Sequence, residues 1–181
     1  MAVFTVIDHQ ELGASEWAPS GNTTVSSWTK SSIPDTYDHL MLKVSARTNS
    51  GHTGYVDVQL SADTTAANYS YTRLYAYQAA GPISDQATAN AYVIQTSGSS
   101  STADTFGTAT LWIPNYANTA NFKQMLSMTA GENASTTDSQ WIVMAGAALW
   151  QSTAAVNQIT LVPNADFLRY STITLYGILG A

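Results

Sequence analysis

Cysteine is absent from the 181-residue chain, which removes disulfides, thiolate metal sites and cysteine nucleophiles together. Charge is scarce as well. Asp, Glu, Lys and Arg make up 10% of the residues, against the usual ~25%, and 12 acids against 6 bases give a net charge of −6. The bases Lys30, Lys43, Arg47, Arg73, Lys123 and Arg169 are scattered, whereas phosphate backbones are held by clustered Lys and Arg. No nucleic-acid partner is expected. Long apolar runs are missing too: the longest, residues 141–150, falls short of the ~20 residues that cross a bilayer as a helix. No membrane partner is expected, and this run, flanked by Gln140 and Gln151, reads as a strand buried on both faces. The opening MAVFTVIDHQ has neither a basic n-region nor an apolar h-region, so no secretory signal is expected.

Catalytic and ligating patterns are equally sparse. His9, His39 and His52 fall in no HxH or HExxH pattern, and zinc needs convergent ligands. Asp35, Asp38, Asp57 and Asp63 lack the tight oxygen-ligand spacing of a calcium loop; they read as solvated turn carboxylates. There is no GxSxG elbow, phosphate-binding loop or dinucleotide fingerprint. No metal or cofactor is expected, and the chain reads as a non-enzyme. A glycan hydrolase would rest on carboxylates brought together by the fold alone.

What is present is alternation. Leu40, Leu42, Val44 and Ala46 alternate with His39, Met41, Lys43, Ser45 and Arg47, and after the polar turn 48–54 Val56, Val58 and Leu60 alternate with Tyr55, Asp57 and Gln59. A period of two places the two sets on opposite faces of a strand. Further strands are expected at 3–7, 23–28, 69–77, 91–95, 106–113, 122–129, 141–151, 156–161 and 172–178. Loops are expected at 13–22, 81–90 and 131–139, and a flexible low-complexity loop at 97–104 (SGSSSTAD). No segment offers a sustained helical period with caps. The expectation is one all-β domain over residues 1–181, a two-layer antiparallel β-sandwich of about eight to ten strands, jelly-roll-like, with few or no helices.

One face stands out. On the strand 69–77, Tyr69, Tyr71, Arg73, Tyr75 and Tyr77 lie on one side, and Ser70, Thr72, Leu74 and Ala76 on the other. Tyrosine with arginine suits a recognition or sugar-stacking surface. It equally suits the core, a cross-strand ladder or a subunit interface, and the small opposite face favours burial. Trp17, Trp28, Trp112, Trp141 and Trp150 read as core or interface anchors. Asn22, Asn68 and Asn133 match the glycosylation sequon, which carries little meaning without export.

Several stretches together carry a resemblance: FTVIDH (4–9), IPDTYDHLMLKVSART (33–48), ANYSY (67–71), TADTFG (102–107), IPNYANT (113–119), AVNQITL (155–161) and STITLYGI (171–178). In this series the chain resembles small virion structural proteins of tailed bacteriophages, especially those of cyanobacteria and other marine bacteria. The resemblance implies a β-sandwich, typically trimeric, placed on the capsid as cement or decoration or in fibres and tails. It brings no catalytic motif. The expected function is therefore a capsid decoration or cement protein that homotrimerises and binds the phage major capsid protein, assembled in the host cytoplasm and located in the virion. The alternative is a fibre or tail module binding a host receptor or glycan through the tyrosine face or loop tips. Loops 48–54, 97–104 and 131–139 are the candidate docking segments.

Overall fold

The structure, a computed structural model, describes residues 3–12, 24–77, 82–133 and 141–180, with only the backbone of Tyr77. It is all-β. The strands are β1 (Val3–Glu11), β2 (Thr24–Val25), β3 (Trp28–Lys30), β4 (His39–Thr48), β5 (Thr53–Leu60), β6 (Tyr69–Tyr77), β7 (Ile83–Ala87), β8 (Ile94–Gly98), β9 (Gly107–Pro114), β10 (Lys123–Gly131), β11 (Ile142–Trp150), β12 (Ile159–Pro163), β13 (Phe167–Leu168) and β14 (Thr172–Leu179). Among the described residues the only helical turn is the 3-10 turn Ala66–Asn68.

All 14 strands belong to one hydrogen-bonded network. Eight of them form an antiparallel layer in the order β1-β14-β4-β9-β10-β11-β6-β7. A smaller group runs β3-β12-β5-β8. β4 joins the two. Its residues 39–46 pair with β9 in the large layer, and Arg47 and Thr48 pair in parallel with β8. The alternation explains the arrangement: Leu40, Leu42 and Val44 from β4, Leu111 from β9 and Leu175 from β14 enter the same buried cluster as Val56, Val58, Ile94 and Leu161 from the smaller group. Fully burying each such side chain is worth roughly 1.5–3 kcal/mol.

Several local expectations are corrected. The apolar run 141–150 is not buried on both faces. β11 alternates, and Val143 is 53% exposed, because one side of the large layer has nothing packed on it among the described residues. The expected loop 81–90 contains β7, whose backbone completes the free edge of β6. The strand expected at 91–95 begins three residues later. The run expected at 23–28 is split into β2 and β3. Loops 13–22 and 134–139 lie outside the described residues, as does Trp17.

The serine-rich loop after β8 is not floppy. Gly98, Ser99 and Ser100 donate backbone N–H bonds to His52, Ser50 and Gly51 of the β4–β5 turn, so two of the three candidate docking loops are bonded to each other. Gly98 permits this approach: a Cβ there would stand 2.0 Å from the Gly51 carbonyl oxygen.

Candidate functional site: an aromatic pocket around Arg73

The tyrosine face of β6 divides along its length. Tyr69 is buried, with its ring stacked on Trp150 at 6.5 Å between centroids. Its hydroxyl accepts from the Leu60 N–H (2.9 Å) and donates to the Asp63 carbonyl (3.0 Å). Burial pushes the Tyr69 hydroxyl pKa well above its ordinary value, partly offset by the Leu60 hydrogen bond. This tyrosine is a pin between layers. Tyr71 and Tyr75 are half-buried, and Arg73 is 7% exposed. The side chain of Tyr77 lies outside the described residues.

Small partners make room for the arginine. Across the β6–β11 ladder Arg73 faces Gly146, and Tyr71 faces Ala148. Residues 90–93 run over that gap: a Cβ on Gly146 would sit 3.3 Å from the Val93 side chain, and the Ser127 hydroxyl donates to the Val93 carbonyl. The crossing segment sets Tyr92 beside Tyr71, with ring centroids 6.3 Å apart and edges to faces, and 6.4 Å from Tyr55 of β5.

Arg73 is held from three sides. Asp85, its partner across the β6–β7 ladder, accepts from Nε at 2.8 Å and also from Nη2. Nη1 donates to the Tyr92 carbonyl at 3.3 Å. The guanidinium carbon lies 4.6 Å from the Tyr71 ring centroid, 5.3 Å from Tyr55 and 5.6 Å from Tyr75, within cation–π range. Burial opposes the charge, but the hydrogen bond and charge of Asp85 outweigh it and hold the Arg73 pKa above its usual value. The two charges cancel, so the site is electrically neutral.

Beside this cluster opens a cavity of about 330 Å³ lined by Tyr55, Tyr71, Arg73, Tyr92 and Asn164. Asn164 is tied down by a two-way bond with Tyr55. Its N–H donates to the Tyr55 carbonyl (2.8 Å), and its Oδ1 accepts from the Tyr55 N–H (3.0 Å). The pocket thus joins β5, β6, the crossing segment and the turn after β12. Sequence reasoning named Tyr71, Arg73 and Tyr75; it missed Tyr55, Asp85, Tyr92 and Asn164. Only Tyr55 carries a signal, as an outward residue of an alternating strand; Asp85 and Tyr92 stand in segments read as loop and short strand, and Asn164 lies between expected strands.

A second surface lies on the other side of the large layer. Leu74 of β6, Ala145 of β11, Met128 of β10 and Thr110 of β9 are successive cross-strand partners, and Leu126 and Val143 occupy the neighbouring rows. Leu74, Leu126 and Met128 are each more than half exposed. Lys43, partner of Thr110 and bonded to its hydroxyl at 2.9 Å, adds one cation.

Among the described residues no group of three or more His, Asp or Glu side chains could hold a metal ion, and no helix is long and apolar enough to cross a membrane. His9 and His39 bond to Thr174 and to the Asn115 N–H, respectively. No family model matches the chain, and no curated protein matches its sequence.

Proposed function

We propose that the chain is a non-enzymatic structural protein of a tailed-bacteriophage particle, a capsid decoration or cement subunit that homotrimerises and binds the major capsid protein. The resemblance supplies the setting. The observation that carries the adhesive role is the uncovered outer face of the large layer, with Leu74, Leu126, Met128 and Val143 exposed on the adjacent strands β6, β10 and β11. Large apolar side chains scattered singly are ordinary, whereas a contiguous patch marks an interaction surface. Eight strands about 4.8 Å apart, overlapping over some seven residues, make a face on the order of 800 Å², which matches one partner's share of a standard interface.

The test is the composition of purified particles together with the solution state. The chain is expected at stoichiometric copy number on the shell. Wild type is expected to sediment as an oligomer, and a Leu126→Lys, Met128→Lys double variant as a folded monomer that no longer decorates particles. Particles without the chain, or a double variant that assembles normally, would reject this reading. The second reading, a fibre or tail module that binds a host receptor or glycan, is favoured by the aromatic pocket on the opposite side of β6.

A further inference from the structure

We propose that the pocket formed by Tyr55, Tyr71, Arg73, Tyr92 and Asn164 binds one ring of a neutral saccharide. The inference gives the second reading above a ligand class. It does not depend on the outer sheet face, since the pocket and that face use opposite sides of β6.

Size comes first. At about 330 Å³ the cavity sits at the small end of the roughly 300–1,000 Å³ range of small-molecule sites, which suits a single pyranose ring better than an extended polymer. The walls come next. Tyr55, Tyr71 and Tyr92 present three rings tilted against one another by 56° and 67°. Such a corner meets the C–H face of a sugar on one ring and its edge on another, with aromatic surface that stays apolar while its tips stay wet. Polar groups are free where a sugar needs them. The hydroxyls of Tyr55 and Tyr71 make no hydrogen bond among the described residues, and Asn164 uses only its Oδ1, leaving its amide nitrogen as a donor. The Tyr92 hydroxyl is oriented by Asn90 Nδ2 at 3.1 Å.

Charge selects against the alternatives. Arg73 would attract a carboxylate or phosphate if it were unpaired, but Asp85 already holds it through both Nε and Nη2. An anion would meet a guanidinium whose charge that carboxylate already cancels. The guanidinium instead serves as a fixed wall whose remaining N–H groups donate to neutral oxygens. Arg73 has three held donors and three flanking rings, so little ordering is left to occur on binding.

The experiment is saturation-transfer NMR and titration of the whole chain with the methyl glycosides of glucose, galactose, mannose and N-acetylglucosamine. At least one is expected to bind saturably, with a dissociation constant on the order of 1–10 mM for a ligand of this size. Tyr55→Ala and Asn164→Ala change exposed members of the pocket. Each is expected to weaken binding at least tenfold while leaving the thermal transition in place, and Thr119→Ala, in the exposed turn before β10, is expected to leave binding unchanged. No saturable binding of any of the four, or binding unaltered in both pocket variants, would overturn the proposal. So would a preference for methyl glucuronide or for a proline-rich peptide over every neutral glycoside. None of these outcomes bears on particle copy number, so the two readings fail separately.

Discussion

Arg47 and Arg73 are buried to nearly the same degree, 8% and 7% exposed, yet the fold uses them in opposite ways. Arg47 stands at the end of β4, where that strand leaves the large layer. Its guanidinium donates to the carbonyls of Thr102 (2.7 Å), Ser101 (2.9 Å), Thr105 (3.0 Å) and Ser99 (3.1 Å). No carboxylate takes part in these bonds. The charge is spread over backbone dipoles, and the serine-rich segment takes its shape by wrapping around it. Arg73 has one carboxylate, one carbonyl and three rings about it, and a cavity beside it. The first arginine closes a loop; the second holds a wall open. The difference teaches that burial alone does not give a cation its role. The chemistry of its acceptors does.

Removing the cation should therefore hurt most at Arg47. Arg47→Met leaves four carbonyls without their donor, and hydrogen bonds to charged groups are worth about 1.5–3 kcal/mol each before compensation by water. A net loss of about 3–5 kcal/mol is expected in chemical denaturation, with amide exchange in residues 98–105 accelerating far more than in β9 or β10. Equal stability of the variant and wild type would mean that the loop holds itself.

At Arg73 the expected effect is smaller, because Asp85 keeps about a third of its side-chain surface in water (34%) and can be resolvated. Arg73→Met should cost about 1–3 kcal/mol and Asp85→Asn about 1 kcal/mol, with a coupling of roughly 1 kcal/mol in the double-mutant cycle. Additive effects would show that the pair does not act as a unit. A loss at Arg73 as large as at Arg47 would erase the contrast between them.

These two sites also measure how far residues alone can be read. Alternation predicts the buried Leu40, Leu42, Val44 and Ala46 of β4 and Val56, Val58 and Leu60 of β5. An apolar face is no guide in β10, where Leu126 and Met128 are exposed while Lys123, Ser127 and Thr129 are buried. Alternation equally marks the tyrosine face of β6. Composition misjudges the segment 97–104, since Ser and Gly are the residues of a free linker and nothing nearby announces that Arg47, some fifty positions earlier, supplies its donors. The pocket is hidden for the same reason. Asp85, Tyr92 and Asn164 reach Arg73 or Tyr55 through ladders and crossings whose strand order no local pattern encodes. The exposed face of β11 was masked by its alanines, which extend an apolar run without requiring burial on both sides.

A third buried charge has neither solution. Asp57, expected among the solvated turn carboxylates, instead stands within β5 and is only 5% exposed. Its Oδ2 accepts from Gln59 Nε2 at 3.0 Å, while its Oδ1 has no partner among the described residues. Burial raises its pKa above the ordinary carboxylate value, and the Gln59 hydrogen bond only partly offsets this. The folded state therefore keeps the Asp57 proton to higher pH than the unfolded chain does. The stabilisation from this group is full below the unfolded pKa near 3.8 and is lost as pH rises through the folded value. Asp57→Asn removes the titration and keeps the shape. Relative to wild type the variant should gain stability as pH climbs above about 4, reaching a plateau of on the order of 1 kcal/mol near neutrality, read from urea midpoints at a series of pH values. A variant that instead loses stability with rising pH would place a cation near Asp57, making it a third paired charge like Arg73 rather than a strained one.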